Sequence, residues 1–398
     1  ITMTHHKIIL TIAAVLALSA CTDKNPVAPT LTIKVTPPAD YSANETIHLV
    51  GSFNDWALEG DRAYPLIKDN GELSVTIPVN EKNVFFTLVK NKNWQLMPAN
   101  EMAKSQCIYL HKATGGDAEM AVHIPLWTGD KPLKKAEPSL SGSVIQHRDF
   151  TLPQLGRNSD ISVYLPKSYQ HNTDKTYPVL YMLDGQNIFS AHSAHSDEWR
   201  IDELLEELTT AGTLDEMIVV AVPNSARRWV EYNPWDFKDR DGKAAQGQGE
   251  LTIRSIKDTL KPFIDSRYRT NPQPASTGLA GSSLGGLMAI YAALEHSDTF
   301  GFTAAFSPAL AIENMDGINV LFEAIKQQQT IGNSKIYFDI GLMEYGNYEQ
   351  IEQLNSLLLN KGFKPENMKL VKDDIGRHCE VDWSRRFPAA LEWLQAGI

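Results

Sequence analysis

The chain has 398 residues, 42% of them apolar and 21% charged, with a formal net charge of −11. That length accommodates two domains, and the apolar share supports a sizeable core, which excludes a disordered chain. The acidic balance argues against a nucleic-acid partner, which would favour a basic face.

Residues 1–21 read as a processing signal. His5, His6 and Lys7 precede the apolar run IILTIAAVLALSA, which meets Cys21. A basic start, a short apolar core and small residues before a cut mark a secretion signal, and the run is too short to span a bilayer securely. The LSAC ending resembles a bacterial lipoprotein box. That resemblance implies cleavage before Cys21, lipidation of its thiol and attachment to a membrane of the bacterial cell envelope, with Thr22 favouring the outer one. Residues 22–29 read as a flexible tether. Cys107 and Cys379 remain; expected in different domains, they are read as two free, partly buried thiols.

From residue 30 to 127 the text is all β. TIKVTP, TIHLVGSF, LSVTIPV, VFFTLVK and MAVHIPLW are short β-branched or aromatic runs separated by turn clusters, which predicts a small immunoglobulin-like sandwich. The stretch from Ile47 to Val79, with VFFTLVKNKNWQ after it, resembles carbohydrate-binding modules of the glycogen- and starch-binding type. The resemblance implies that Trp56 and Trp94 present aromatic faces to sugar rings; packing in the core or at the domain interface is the alternative. Residues 128–143, polar and proline-punctuated, read as a linker.

From residue 144 to 398 apolar strands alternate with amphipathic helices. SDISVYLP, YPVLYML, MIVVAVPN, STGLAGS, FGFTAAFSP and KIYFDIGL read as strands, and ELTIRSIKDTLKPFIDSRY and NYEQIEQLNSLLLNKG as helices. This predicts an α/β fold, a mostly parallel sheet covered on both faces, with functional groups at the carboxyl ends of its strands.

Gly281-Ser282-Ser283-Leu284-Gly285 lies between the strand STGLA and the helix GLMAIYAAL, the context in which G-x-S-x-G forms a nucleophile elbow. Ser283 has the correct register, and Gly281 and Gly285 meet the demand for small neighbours. In this fold the acid and then the histidine follow the serine. Only His296 and His378 lie downstream; His296, at the end of the elbow helix, reads as a surface residue, and His378, in a loop before the final helix, as the base. Glu344, just past KIYFDIGL, is preferred as acid to Asp339, Asp373 or Asp374. Backbone N–H groups of Leu284 and of Gln186 or Asn187 are expected to form the oxyanion hole.

YPVLYMLDGQNIF, DEWRIDE, RRWVEYNPW, LKPFIDSRYRT, GLAGSSLGGLMA and HCEVDWSRRFPAALEWL together resemble the esterase branch of the α/β-hydrolases. That group includes family-one carbohydrate esterases (feruloyl and acetyl xylan esterases) and enterochelin-type siderophore esterases. The resemblance implies a metal-free serine esterase with Ser283, Glu344 and His378 in the triad positions and no cofactor. Asp184, Trp199, Arg227, Arg228, Tyr232 and Trp235 are candidate substrate-binding residues. The following stretch KDRDGKAAQGQGE reads as a mobile loop over the cleft; His192 and His195 lack a third ligand, and no metal is expected. The leading expectation is hydrolysis of feruloyl- or acetyl-type esters on glycans or of related small esters. The alternatives are a siderophore trilactone esterase and, from another class, a glycan-binding surface lipoprotein with a vestigial hydrolase domain.

Overall fold

A computed structural model describes residues 28–69, 71–134, 143–328, 332, 334–342, 344 and 347–396. The signal segment with Cys21, most of the tether and the centre of the linker lie outside the described residues. Among the described residues no helix is long and apolar enough to cross a membrane.

Strict alternation builds the first domain: in TLTIKVT only Leu31, Ile33 and Val35 are buried, the period-2 signature of a sheet with one face on a core. The strands are β1 (Thr30–Thr36), β2 (Ile47–Gly51), β3 (Tyr64–Pro65), β4 (Ile67–Asp69), β5 (Glu72–Pro78), β6 (Asn83–Lys90), β7 (Pro98–Ala99), β8 (Tyr109–Lys112), β9 (Ala118–His123) and β10 (Leu126–Trp127). They form four-stranded sheets of order β4-β5-β1-β9 and β3-β2-β6-β8, plus the small β10-β7 ladder. Ile33 and Ile77 of one sheet share an apolar core with Leu49, Phe86 and Leu88 of the other. Trp56 packs on Val50, Leu58 and Val89, whereas Trp94 is exposed.

The second domain is built on an eight-stranded sheet. Its strands are β11 (Ser143–Leu152), β12 (Arg157–Leu165), β13 (Val179–Leu183), β14 (Ile218–Val222), β17 (Thr277–Ser282), β18 (Phe302–Phe306), β19 (Lys335–Gly341) and β20 (Met368–Asp373). β15 (Phe237–Lys238) and β16 (Ala244–Ala245) make a separate short hairpin. The order in the sheet is β11-β12-β14-β13-β17-β18-β19-β20. The first two pairings are antiparallel and the rest parallel. VLYML, IVVAV and FTAAF are buried at every position, as strands covered on both faces must be. Val179, Tyr181 and Leu183 enter one core cluster, and Leu180 and Met182 the other.

The helices are α1 (Ile201–Thr210), α2 (Arg228–Glu231), α3 (Gly249–Arg254), which continues through the π turn Ser255–Leu260 into α4 (Lys261–Arg267), α5 (Leu284–Glu295), α6 (Val320–Gln327), α7 (Asn347–Asn360) and α8 (Glu380–Gln395). KDRDGKAAQGQGE includes β16, which pairs with β15 in a two-residue ladder. Two expectations are corrected here. His296 is buried, its Nε2 2.8 Å from the Glu250 carboxylate. Cys107 and Cys379 are not free thiols but a disulfide joining the two domains; sequence distance hid a contact that domain docking creates.

Candidate active site

Ser283 sits at the turn between β17 and α5 with φ 56° and ψ −120°, a backbone conformation that costs a side-chain-bearing residue about 1–3 kcal/mol and persists only when its surroundings enforce it. Its N–H donates to the Phe306 carbonyl at 2.9 Å, and its own carbonyl accepts from the N–H groups of Leu287 (3.0 Å) and Ala309 (2.9 Å). A Cβ on Gly281 would lie 2.7 Å from the Gly285 carbonyl carbon, and one on Gly286 2.9 Å from Pro308 Cα. A Cβ on Gly285 would make an ordinary contact, 3.4 Å from Asp184 Oδ2. The steric demand thus falls on Gly281 and Gly286 more than on Gly285.

His378 lies in the loop between β20 and α8, and its Nδ1 is 2.8 Å from Glu344 Oε2. The imidazole is 41% exposed and the Glu344 side chain only 1%; the ring stands edge-on to Trp383, centroids 5.0 Å apart. Glu344 Oε1 accepts from the Gly341 N–H (2.8 Å) and the Ser307 hydroxyl (2.5 Å). Ser307 in turn accepts from Trp383 Nε1 and Arg386 Nη2, both at 2.8 Å. Arg386 is buried, 3.1 Å from Asp339, 3.6 Å from Glu344 and 3.5 Å from Asp373.

Asp339 is engaged by partners other than the imidazole. Its carboxylate accepts from the Tyr337 hydroxyl (3.0 Å) and the Ser307 N–H (2.9 Å). Complete burial pushes its carboxyl up to about 6, against the opposing pull of Arg386. Glu344 is therefore the acid that meets His378. Ser307, Trp383 and Arg386 escaped the reading of the sequence. Their signals are faint: Ser307 follows a strand at the same carboxyl edge as Ser283 and Glu344, and Trp383 and Arg386 share a helix face at i, i+3.

Ser283 and His378 line one cleft of about 240 Å³ together with Gln186, Asn187, His195, Asn224, Arg228 and Glu380. The Leu284 N–H heads α5 and the Gln186 N–H follows the Asp184–Gly185 turn; among the described residues neither donates to a backbone carbonyl. Asn187 is corrected: its N–H donates to the Asp184 carbonyl at 2.9 Å. Its side chain instead holds the Glu380 carboxylate (3.0 Å) and the His195 N–H (2.9 Å).

Of the expected substrate wall, Asp184 and Arg228 line this cleft, whereas Tyr232 and Trp199 are buried. Asp184, buried with φ 56°, receives a two-pronged bond from Arg228 (2.7 Å each) and one from Asn224 (2.5 Å). Arg228 reaches the cleft with its charge already neutralised. Tyr232 is buried beneath this clamp, its hydroxyl accepting the Asp184 N–H at 3.1 Å. Trp199 is 2% exposed and stacks on Trp383; it packs the core, because the sheet and α8 meet there. Trp235 meets Tyr291 edge-on at 5.4 Å. Arg227 stays at the exposed rim, bonded to Gln248.

A second cavity, of about 320 Å³, shares His378, Glu380 and Trp383 with the first and is closed by Ser105, Gln106, Cys107 and Ile108 of the N-terminal domain. The disulfide and an Arg377 Nη1 bond to the Ile108 carbonyl (2.6 Å) hold this wall to the histidine loop. Arg377 is also paired with Asp382 at 2.8 Å.

A serine on a strand-to-helix elbow, at a strand's carboxyl end and in one cleft with a histidine–carboxylate pair, defines an esterase of the α/β-hydrolase kind. The "Putative esterase" family model matches residues 153–394, and the chain belongs to that family: it is an enzyme that hydrolyses carboxylic esters. It is 24% identical over 265 residues to the uncharacterized protein YbbA of Bacillus subtilis, covering 64% of this chain and 97% of that one. It is 23% identical over 253 residues to an endo-1,4-beta-xylanase/feruloyl esterase of Xylanibacter ruminicola, covering 63% of this chain and 31% of that one. The enterobactin esterase FES from Shigella flexneri shares the fold with a TM-score of 0.61 at 14% identity, over 88% of this chain and 87% of that one.

Proposed function

We propose that Ser283, His378 and Glu344 form a catalytic triad that cleaves esters through an acyl-enzyme. His378 takes the Ser283 proton as Oγ adds to the ester carbonyl, and Glu344 orients the imidazole and stabilises its cation. The Leu284 and Gln186 N–H groups receive the oxyanion. Collapse of the tetrahedral adduct expels the alcohol, which His378 protonates; a water molecule, activated by the same imidazole, then releases the acid and restores the serine. The observation that carries this reading is the 2.8 Å His378–Glu344 pair opening on the cleft that Ser283 lines.

The substrates we infer are feruloyl- or acetyl-type esters on glycans or related neutral esters. Both arginines of the cleft walls are paired, Arg228 with Asp184 and Arg377 with Asp382. Burial pushes the neighbouring Asp197 and Glu380 carboxyls up. Such a surface offers hydrogen bonds to hydroxyls, and among the described residues lining the two cavities both arginines already hold a carboxylate. The likeness to a xylanase/feruloyl esterase points the same way. The fold shared with an enterobactin esterase across both halves of the chain favours a second reading, a siderophore trilactone. In the same proposal Cys21 anchors the enzyme to an envelope membrane, and exposed Trp94 gives the sandwich a sugar-facing surface.

Release of nitrophenol from p-nitrophenyl acetate, and fluorophosphonate labelling lost in Ser283→Ala, test the triad. No turnover and no labelling of the folded protein would leave a glycan-binding lipoprotein with a vestigial hydrolase domain. Feruloyl and acetyl xylo-oligosaccharides against a catecholate trilactone separate the two substrate classes.

A further inference from the structure

Proton transfer fixes which side of an ester goes where. In the proposed acyl-enzyme cycle the imidazole that deprotonates Ser283 must next protonate the departing alkoxide. The leaving oxygen is therefore within reach of His378, while the carbonyl oxygen points to Leu284 and Gln186. A cavity that begins at His378 and runs away from those N–H groups receives the alcohol.

The 320 Å³ cavity has that position. It includes His378, Glu380 and Trp383 but neither Ser283 nor Gln186, and it ends on Ser105–Ile108 of the N-terminal domain. Its volume falls in the range of small-ligand sites, about 300–1,000 Å³. Among its lining residues, Ile108, the disulfide and Trp383 offer apolar surface, and Ser105, Gln106 and Asp197 offer donors and acceptors. Apolar surface beside hydroxyl-bonding groups matches a sugar ring, which has C–H faces and hydroxyl edges. The wall is anchored: Cys107 is bonded to Cys379, the residue after His378, and Ile108 accepts from Arg377.

We infer that the N-terminal domain completes the active site, its Ser105–Ile108 segment forming the alcohol-side subsite for a hydroxyl-rich alcohol such as a glycosyl residue. This rests on the acyl-enzyme reading. By microscopic reversibility, an alcohol that binds there also attacks the acyl-enzyme. Its hydroxyl oxygen bonds to the acyl carbon, its proton passes through His378 to Ser283 Oγ, and the acyl–Oγ bond breaks to give a new ester and free serine.

The test is acyl transfer from p-nitrophenyl acetate to xylobiose or to methanol, using the full chain. Nitrophenol release reports the serine chemistry, and its absence sinks the acyl-enzyme reading; the product ratio reports the subsite. The unaltered protein acetylates xylobiose at acceptor concentrations well below those needed for methanol. In Gln106→Ala and in Ser105→Phe, which narrows the cavity, the xylobiose-to-methanol product ratio falls about three- to tenfold, the effect of one lost neutral hydrogen bond. An unchanged ratio in both folded variants overturns the inference, as does an unaltered protein that releases nitrophenol and acetylates methanol but never xylobiose.

Discussion

Cys379 immediately follows His378 and is bonded to Cys107, 272 positions earlier in the other domain. The covalent link between the domains thus ends on the loop that carries the imidazole, at the residue that caps α8. Docking of the sandwich and placement of His378 are coupled.

Cys107→Ser with Cys379→Ser removes a cross-link whose loss typically costs about 2–4 kcal/mol. Urea unfolding of the double variant should show that loss, and kcat for p-nitrophenyl acetate should fall as the His378 loop loosens. Unchanged stability and rate would separate the link from the site.

Glu344 and Ser307 form a second coupled pair. Glu344→Gln should lower kcat about 10³–10⁴-fold, as loss of the acid behind a catalytic histidine does elsewhere. Ser307→Ala removes a hydroxyl bond to a buried carboxylate worth about 1.5–3 kcal/mol, so kcat should fall roughly ten- to hundredfold with KM little changed. Ser283→Ala should lose roughly several thousandfold or more in kcat/KM. Steady-state kinetics on one nitrophenyl ester checks all three.

Asp339 makes stability depend on pH. Its folded value of about 6 stands above the ordinary 3.8, so between those values the native state holds a proton that the unfolded chain has released. Stability from this group is therefore fullest in acid and is lost as pH rises from about 4 through about 6, by on the order of 3 kcal/mol. The stability difference between the unaltered protein and Asp339→Asn, read by urea unfolding at several pH values, should shift against the unaltered protein as pH rises. A difference independent of pH would contradict this.

The elbow glycines should separate by substitution. Gly281→Ala puts a Cβ 2.7 Å from the Gly285 backbone and should destabilise the protein by about 1–3 kcal/mol while displacing Ser283. Gly285→Ala meets only ordinary contacts and should stay folded. Thermal unfolding and fluorophosphonate labelling of both variants decide it.

Much of the second domain was legible in the chain because its signals are local. VLYML, IVVAV and TGLAGS are apolar runs bounded by turns, and a glycine-flanked serine between strand and helix announces an elbow whatever surrounds it. His378 and Glu344 emerged from chain order alone, each just past the end of a strand. What failed were judgements about which aromatic side chains face the cleft. Tyr232 and Trp199 look like a binding wall in one dimension, yet both are buried in the clamp and core.

Local periodicity by itself determined strands β12 to β14 and β17 to β19, helices α5, α7 and α8 and the elbow, since backbone hydrogen bonding and alternation of burial act over a few residues. Only the tertiary structure decided that Cys107 meets Cys379, that Ser307 and Arg386 hold Glu344, and that the sandwich walls a cavity beside His378. Those contacts join residues tens to hundreds of positions apart, and packing alone brings such groups within bonding distance.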